Sequence, residues 1–175
     1  LKVFIYLKQT QINEIKNLSP NSSIDGYFAK FKYCVFGKPL RGTILPPRQI
    51  LFRKDKAIYI DDGHTQLLKN QGKSSQLSAY IHHDDRKPID RWFLSETKYS
   101  VLEAEKLLNT PQNELDLGDK IRMQKLLAPI IVPLYYLILK GGILDGWRGC
   151  YYVFQRIVAE ILLSMRLIAL EHNKK

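Results

Sequence analysis

Residues 61–92 gather most of the side chains in this sequence that can do chemistry. Asp61-Asp62-Gly63-His64-Thr65-Gln66 comes first, then a polar stretch, then Ile81-His82-His83-Asp84-Asp85-Arg86-Lys87-Pro88-Ile89-Asp90-Arg91-Trp92. Three of the four histidines fall here, with five aspartates and an Arg/Lys cluster. Carboxylate and imidazole both ligate divalent ions, and a carboxylate can serve as a general base. Guanidinium groups hold diphosphates through charge-assisted hydrogen bonds. The set suits a metal-assisted reaction on a phosphate-bearing substrate. Each piece also has a plainer explanation. Asp-Gly is a turn signal in its own right, and Arg86, Lys87 and Arg91 suit a solvated helix start. His82 and His83, adjacent on a strand, point to opposite faces, so only one of them reaches a given site. The run His82-His83-Asp84-Asp85 also lacks the helical spacing that phosphohydrolase sites use.

The elements that position these residues follow from periodicity. Ile12, Ile15 and Leu18 recur every three residues and predict a short helix with one apolar side. From Ile24 to Phe36 aromatic and β-branched residues alternate with Lys30, Lys32 and Cys34, which predicts a strand broken at Gly37-Lys38-Pro39. Shorter extended pieces are expected at Gln49–Arg53 and Ala57–Ile60. Residues 69–78 hold few apolar anchors and predict a mobile loop, with Ala79–Ile81 as a brief strand ending at His82. Pro88 suits the first turn of a helix running from Ile89 to Leu108, with Trp92, Tyr99, Leu102 and Leu107 as core contacts. Asn109-Thr110-Pro111 stops it, and another helix is expected near Asn113, interrupted at Gly118.

The tail differs in kind. Leu126 to Leu139 is uncharged and broken by Pro129 and Pro133, shorter than the roughly 20 apolar residues of a membrane span. After Lys140-Gly141-Gly142 a last helix is predicted from Asp145 or Gly146 to about Leu170. At about 100° per residue, Arg148, Gln155 and Arg166 align, with Arg156 and Glu160 flanking them. Trp147, Tyr151, Phe154, Val158, Ile161, Met165 and Ile168 take the opposite side. This pattern describes a helix lying on an anionic lipid surface or one packed on a core or a second subunit.

With 175 residues, a single substantial core is the default. The net charge of +10 and pI near 9.6 favour an anionic partner. Basic residues are scattered over 1–125 and no helix-turn-helix, zinc or RNA-binding motif is present, which argues against nucleic acid. Cys34 and Cys150 show no metal or CxxC spacing and read as reduced thiols. No methionine opens the chain, and Leu1-Lys2-Val3-Phe4-Ile5 does not form a signal peptide; the opening reads as the middle of a longer protein.

In order and spacing, residues 24–108 resemble the second half of a family 2 glycosyltransferase of the lipopolysaccharide-core or lipid-linked-glycan type. The pieces are Asp25-Gly26-Tyr27, Phe31 to Gly37, Pro46-Pro47-Arg48, Leu51-Phe52-Arg53, Asp61 to Gln66, Ile81-His82-His83, Arg91-Trp92 and Tyr99. Gly142-Ile143-Leu144-Asp145-Gly146-Trp147-Arg148-Gly149 resembles the membrane-proximal tail of the same family. The resemblance implies an α/β fold, a partial GT-A-like nucleotide-diphospho-sugar transferase, over 1–110, with a helical membrane-associated tail over 111–175. Its strands are expected to lean antiparallel. His64 matches the histidine of a His-Glu element whose acid is Thr65 here, so Asp61 or Asp62 becomes the implied base. His82 is the implied metal or phosphate contact, for manganese or magnesium. Arg48, Arg53, Arg86, Arg91 and Trp92 are the implied substrate contacts. The upstream Asp-x-Asp half that binds the nucleotide is not found before Asp25. The implied protein is therefore an acceptor-side fragment, inactive alone or working with a separately made N-terminal half. It would take a nucleotide-sugar donor and a lipid-linked acceptor at the cytoplasmic face of the inner membrane of a bacterium. A non-catalytic basic protein that binds anionic membrane or nucleic acid, and an orphaned remnant without function, are the competing readings.

Overall fold

In the computed structural model of this chain, residues 3–6, 9–19, 23–62 and 65–173 are described. They form a mixed α/β structure in two compact units, one of residues 1–60 and 66–86 and the other of 61–65 and 87–175.

The first unit is a sheet with one short helix. Its elements are β1 (Val3–Tyr6), α1 (Gln9–Lys16), β2 (Ile24–Val35), β3 (Lys38–Pro39), β4 (Arg48–Phe52), β5 (Ala57–Asp62), β6 (Thr65–Asn70) and β7 (Lys73–Asp85); β5 and β6 cross into the second unit at their adjoining ends. The long strands β2 and β7 lie side by side in parallel, from Ile24 opposite Lys73 to Cys34 opposite Asp84. β1 adds antiparallel to β7 over residues 82–85, and β3 and β4 add antiparallel to the other edge of β2. β5 and β6 pair with each other as a separate ribbon. The expected antiparallel character therefore holds at the edges, while the central pair is parallel.

The expected mobile loop at 69–78 is instead strand. Lys69 and Asn70 end β6, Gln71 and Gly72 make the turn, and Lys73 to Ser78 begin β7. Leu77 is the one apolar anchor in that stretch to be buried, and it suffices because β2 supplies the pairing on one side. Gly72 is required at the turn, since a Cβ there would lie 1.8 Å from the Asp25 carboxylate.

The core of this unit is Ala29, Leu77 and Ile81, covered by Ile15 and Leu18 from the helix end and by Tyr27, Phe31, Ile50 and Leu51. Opposite Ala29, β7 has an extra stretch between Gln76 and Tyr80, a bulge in the register. The two backbone N–H groups freed there, of Ser78 and Ala79, donate to the Glu14 carboxylate at 2.7 and 3.0 Å. Those bonds, Ser78 first, hold the Glu14 carboxyl below the usual glutamate range.

The second unit is helical: α2 (Ile89–Asn109), α3 (Leu117–Met123), α4 (Ala128–Leu134) and α5 (Trp147–His172). Pro88 stands just outside α2 as its N-cap. Trp92 and Leu107 are buried as expected, whereas Leu102 is exposed. α3 starts at Leu117, later than Asn113, because the Asp116 side chain accepts the Asp119 N–H at 2.7 Å and caps it there. Gly118 lies within α3 and does not break it. Pro133 sits inside α4, and the turn after it widens to a π-helix over Tyr135–Leu139.

The glycines after it have a packing cause. Gly142 lies under the buried Tyr136 ring, where a Cβ would come within 2.1 Å, and a Cβ on Gly149 would meet the Gly142 carbonyl at 1.9 Å. Gly146 has φ 59 and ψ −140, a conformation that suits glycine.

α2 and α5 share the core of Ala104, Leu107, Leu115, Leu163 and Leu167. Beside it runs a buried ion network. Glu160, 1% exposed, takes Arg122 at 3.3 Å and Arg156 at 3.2 Å. Arg122 also approaches Glu103 and Asp119, and Lys106 meets Asp119 at 3.2 Å. Burial raises the Asp119 carboxyl, partly countered by Lys106. Burial pulls the Arg122 guanidinium down, but Glu160 and its other acids outweigh it and leave it raised. No helix among the described residues is long and apolar enough to cross a membrane.

Candidate functional site

The parallel pair β2/β7 places its chemistry at the C-terminal ends of its strands, the usual ligand edge of an α/β sheet. Period-two geometry puts Tyr80, His82 and Asp84 on one face of β7 and His83 on the other. His83 packs its ring against Tyr33 at 5.4 Å between centroids. His82 is buried and Asp84 wholly so. The Asp84 carboxylate accepts the Arg86 Nε–H at 2.6 Å and the Gly37 N–H at 3.3 Å. The Gly37 bond anchors a two-residue hairpin in which Phe36 and Gly37 both have positive φ, the twist that such turns need. For Phe36 this conformation is costly, and the buried carboxylate helps hold it.

Beside His82 lies an open cleft of about 440 Å³, lined by Thr10, Glu14, Lys32, Pro39, Tyr80 and His82 among others. Lys32, paired in register with His82, holds its ammonium 4.9 Å from the centre of the Tyr80 ring. The one acid in the wall, Glu14, is already engaged by two backbone N–H groups. The cleft therefore offers an ammonium, an imidazole and a hydroxyl, and its carboxylate is committed. That balance suits an anionic oxygen-rich group.

The chain matches no family model, no curated protein and no solved structure.

The other residues named from the sequence fall in several places. Arg86 sits in the first unit, its side chain 54% exposed and tied to Asp84. Arg53 follows β4 and is held by Asp25, through a 3.3 Å ion pair and its own N–H to the Asp25 carbonyl. Arg48 lies half-buried on β4. Asp61 is exposed near the end of β5 and belongs to the second unit, as do Arg91 and Trp92. Asp62 closes β5, and His64 lies outside the described residues. Trp92 is buried, its ring edge-on to Phe93 at 5.1 Å, so it packs as core. Arg91 is exposed on the first turn of α2.

Sequence reasoning missed Lys32, Glu14 and Tyr80. The i, i+2 spacing of Tyr80, His82 and Asp84 was available as a signal; the approach of Lys32 depends on a parallel register that no local pattern states.

The expected metal finds no ready cage here. Among the described residues no group of three or more His, Cys, Asp or Glu could hold an ion. Asp84, the acid nearest His82 on its face, would have to give up a guanidinium to ligate one. The described residues of the cleft do not fit a metal on their own.

Proposed function

We propose that this chain is the acceptor-side portion of a GT-A-like glycosyltransferase that moves a sugar from a nucleotide-diphosphate donor to a lipid-linked or lipopolysaccharide acceptor. The observation that carries the reading is the cationic cleft at the ligand edge of β2/β7, where Lys32 and His82 face an open space and the nearby acids are engaged. In the proposed reaction the Lys32 ammonium neutralises a diphosphate oxygen and the His82 imidazole donates to one, so charge that develops on the leaving group falls against preorganised donors. Arg86, braced by Asp84, supplies a guanidinium of fixed orientation at the same strand end. No step is routed through a metal ion.

Titration of the chain with uridine- and guanosine-diphosphate sugars, with and without manganese or magnesium, tests the reading. Saturable binding that weakens about tenfold or more in Lys32→Met and in His82→Ala supports it; a lost charge-assisted hydrogen bond is of that size. Lys32→Met keeps the side-chain stem and guards against a folding defect in the buried histidine variant. Absence of binding by every nucleotide sugar to the folded chain would sink the diphosphate role given to Lys32 and His82.

A further inference from the structure

The helical unit leaves an unusual amount of apolar surface uncovered. α5 packs on its neighbours through Tyr152, Val153, Ala159, Leu163 and Leu167, not through the stripe that the helical wheel singles out. That stripe stays in the open: Trp147, Phe154, Ile161 and Ile168 recur every seven residues and are 57%, 64%, 42% and 45% exposed. Met165, between the last two, is also exposed. On one helix this spacing makes a continuous line. The segment before it behaves alike, with Ile130, Leu134, Ile138, Leu139, Ile143 and Leu144 all exposed. Contiguous surface of this kind marks a docking face.

The charges around it choose the occupant. Residues 126–144 hold no acid at all. Every acid from Asp145 to Glu171 is already engaged: Asp145 accepts the Tyr136 hydroxyl, Glu160 takes two arginines, and Glu171 takes Lys125. Lys140, Arg148 and Arg166, by contrast, make no ion pair among the described residues. Two of them lie over aromatic rings, Lys140 at 5.4 Å from the Tyr135 centroid and Arg148 at 4.5 Å from that of Trp147. Cations beside Trp and Tyr at the margin of an apolar face fit the headgroup level of a bilayer. A second copy of the same face would bring these cations towards like charges, with no acid free to meet them.

We propose that the exposed apolar face of residues 126–168 seats on an anionic phospholipid bilayer, with α5 lying in the plane of the interface and crossing nothing. The apolar stripe enters the acyl boundary, and Lys140, Arg148 and Arg166 meet lipid phosphates. This inference goes beyond sugar transfer and stands without it, since it needs neither donor nor acceptor.

Flotation of the full chain with vesicles tests it, comparing phosphatidylcholine alone with phosphatidylcholine mixed with phosphatidylglycerol. Binding is expected only to the anionic vesicles, weakening as salt rises. Brominated lipid should quench Trp147, and quenching should disappear in Trp147→Phe, where the buried Trp92 alone remains. The double variant Phe154→Ser/Met165→Ser changes two exposed side chains and should lower partitioning by about tenfold or more. Failure to float with anionic vesicles, or binding with Trp147 unquenched, overturns the proposal. So does a concentration-dependent dimer in sedimentation that the double variant abolishes, because the face would then belong to a second copy. The sugar titration reads a different unit, so either proposal can fail without the other.

Discussion

The two units of this chain both break the inside-outside rule, and they differ in how far their exposed apolar groups extend. The sheet unit buries polar groups, His82 and Asp84 on one face of β7, and exposes apolar ones at Phe36 and at Ile58, Tyr59, Ile60 and Leu67 of the separate β5/β6 ribbon. The helical unit also buries charge, at Glu103, Asp119 and Glu160, and leaves a longer run of apolar groups in water along α4, the π turn and α5. A buried polar group and a large exposed apolar patch are the two informative departures from ordinary burial. The sheet spends its polar groups on fixing a strand end, and the helices keep an apolar face that their own core does not use. The lesson is that buried polar groups brace the inside of both units, while the extended apolar surface belongs to the helical one.

Substitutions sharpen that contrast. The largest effect should come from Glu160→Ala, the place where the helical unit does bury charge. It leaves Arg122 and Arg156 facing each other without their shared acid, and loss of about 3–5 kcal/mol is expected for a broken buried pair; urea denaturation measures it. Gly149→Ala comes next, because its Cβ would press on the Gly142 carbonyl, a backbone atom that cannot swing aside. Overpacking of about 1–3 kcal/mol is expected, seen as a lower thermal midpoint. On the sheet side, Asp84→Asn should cost about 1–3 kcal/mol, since it weakens the hold on Arg86 and on the Phe36-Gly37 turn. Phe36→Gly in the same background should recover part of that loss if the turn is strained as described.

The smallest effect is pH-dependent and belongs to Glu14. Its folded carboxyl lies below the ordinary glutamate range, held there by the Ser78 and Ala79 N–H groups, so the native state binds its proton less readily than the unfolded chain. Its contribution is complete above the unfolded value and is lost as pH falls through the lowered folded one. Glu14→Gln should therefore cost about 1 kcal/mol near neutrality, given solvent screening, and the gap to the parent chain should close in acid. Paired melts at neutral and acid pH measure it; a gap that widens in acid would contradict the assignment.

Much of the architecture was legible because it is local. The alternation from Ile24 to Val35, Pro88 ahead of α2, and Gly146 ahead of α5 each state their element within a few residues. β7 was not legible over residues 73–78, where Lys, Ser and Gln sit on a strand that pairing with β2 holds in place. Nor was the parallel register that sets Lys32 beside His82, since a pairing some fifty residues apart leaves no periodic trace. The heptad stripe of α5 was seen correctly as apolar, yet periodicity could not say that a different face of the helix, carrying Tyr152, Val153 and Leu163, would meet the core. The site was legible in part for the same reason: His82 and Arg86 stand out by type, while Glu14 and Asp84 act through the backbone groups they hold.

The Glu14 contact has a further meaning at the edge of the sheet. Among the described residues β1 pairs with β7 over residues 82–85, and the backbone donors of Ser78 and Ala79 in the bulge nearby go to Glu14. Such an edge is where a strand from another molecule would add. A carboxylate laid across two of those donors occupies the first rung such a strand would need, and a negative charge there repels an incoming carbonyl. Glu14 thus covers the edge of the sheet as well as stabilising it, and acid that removes its charge would leave those two donors less well met.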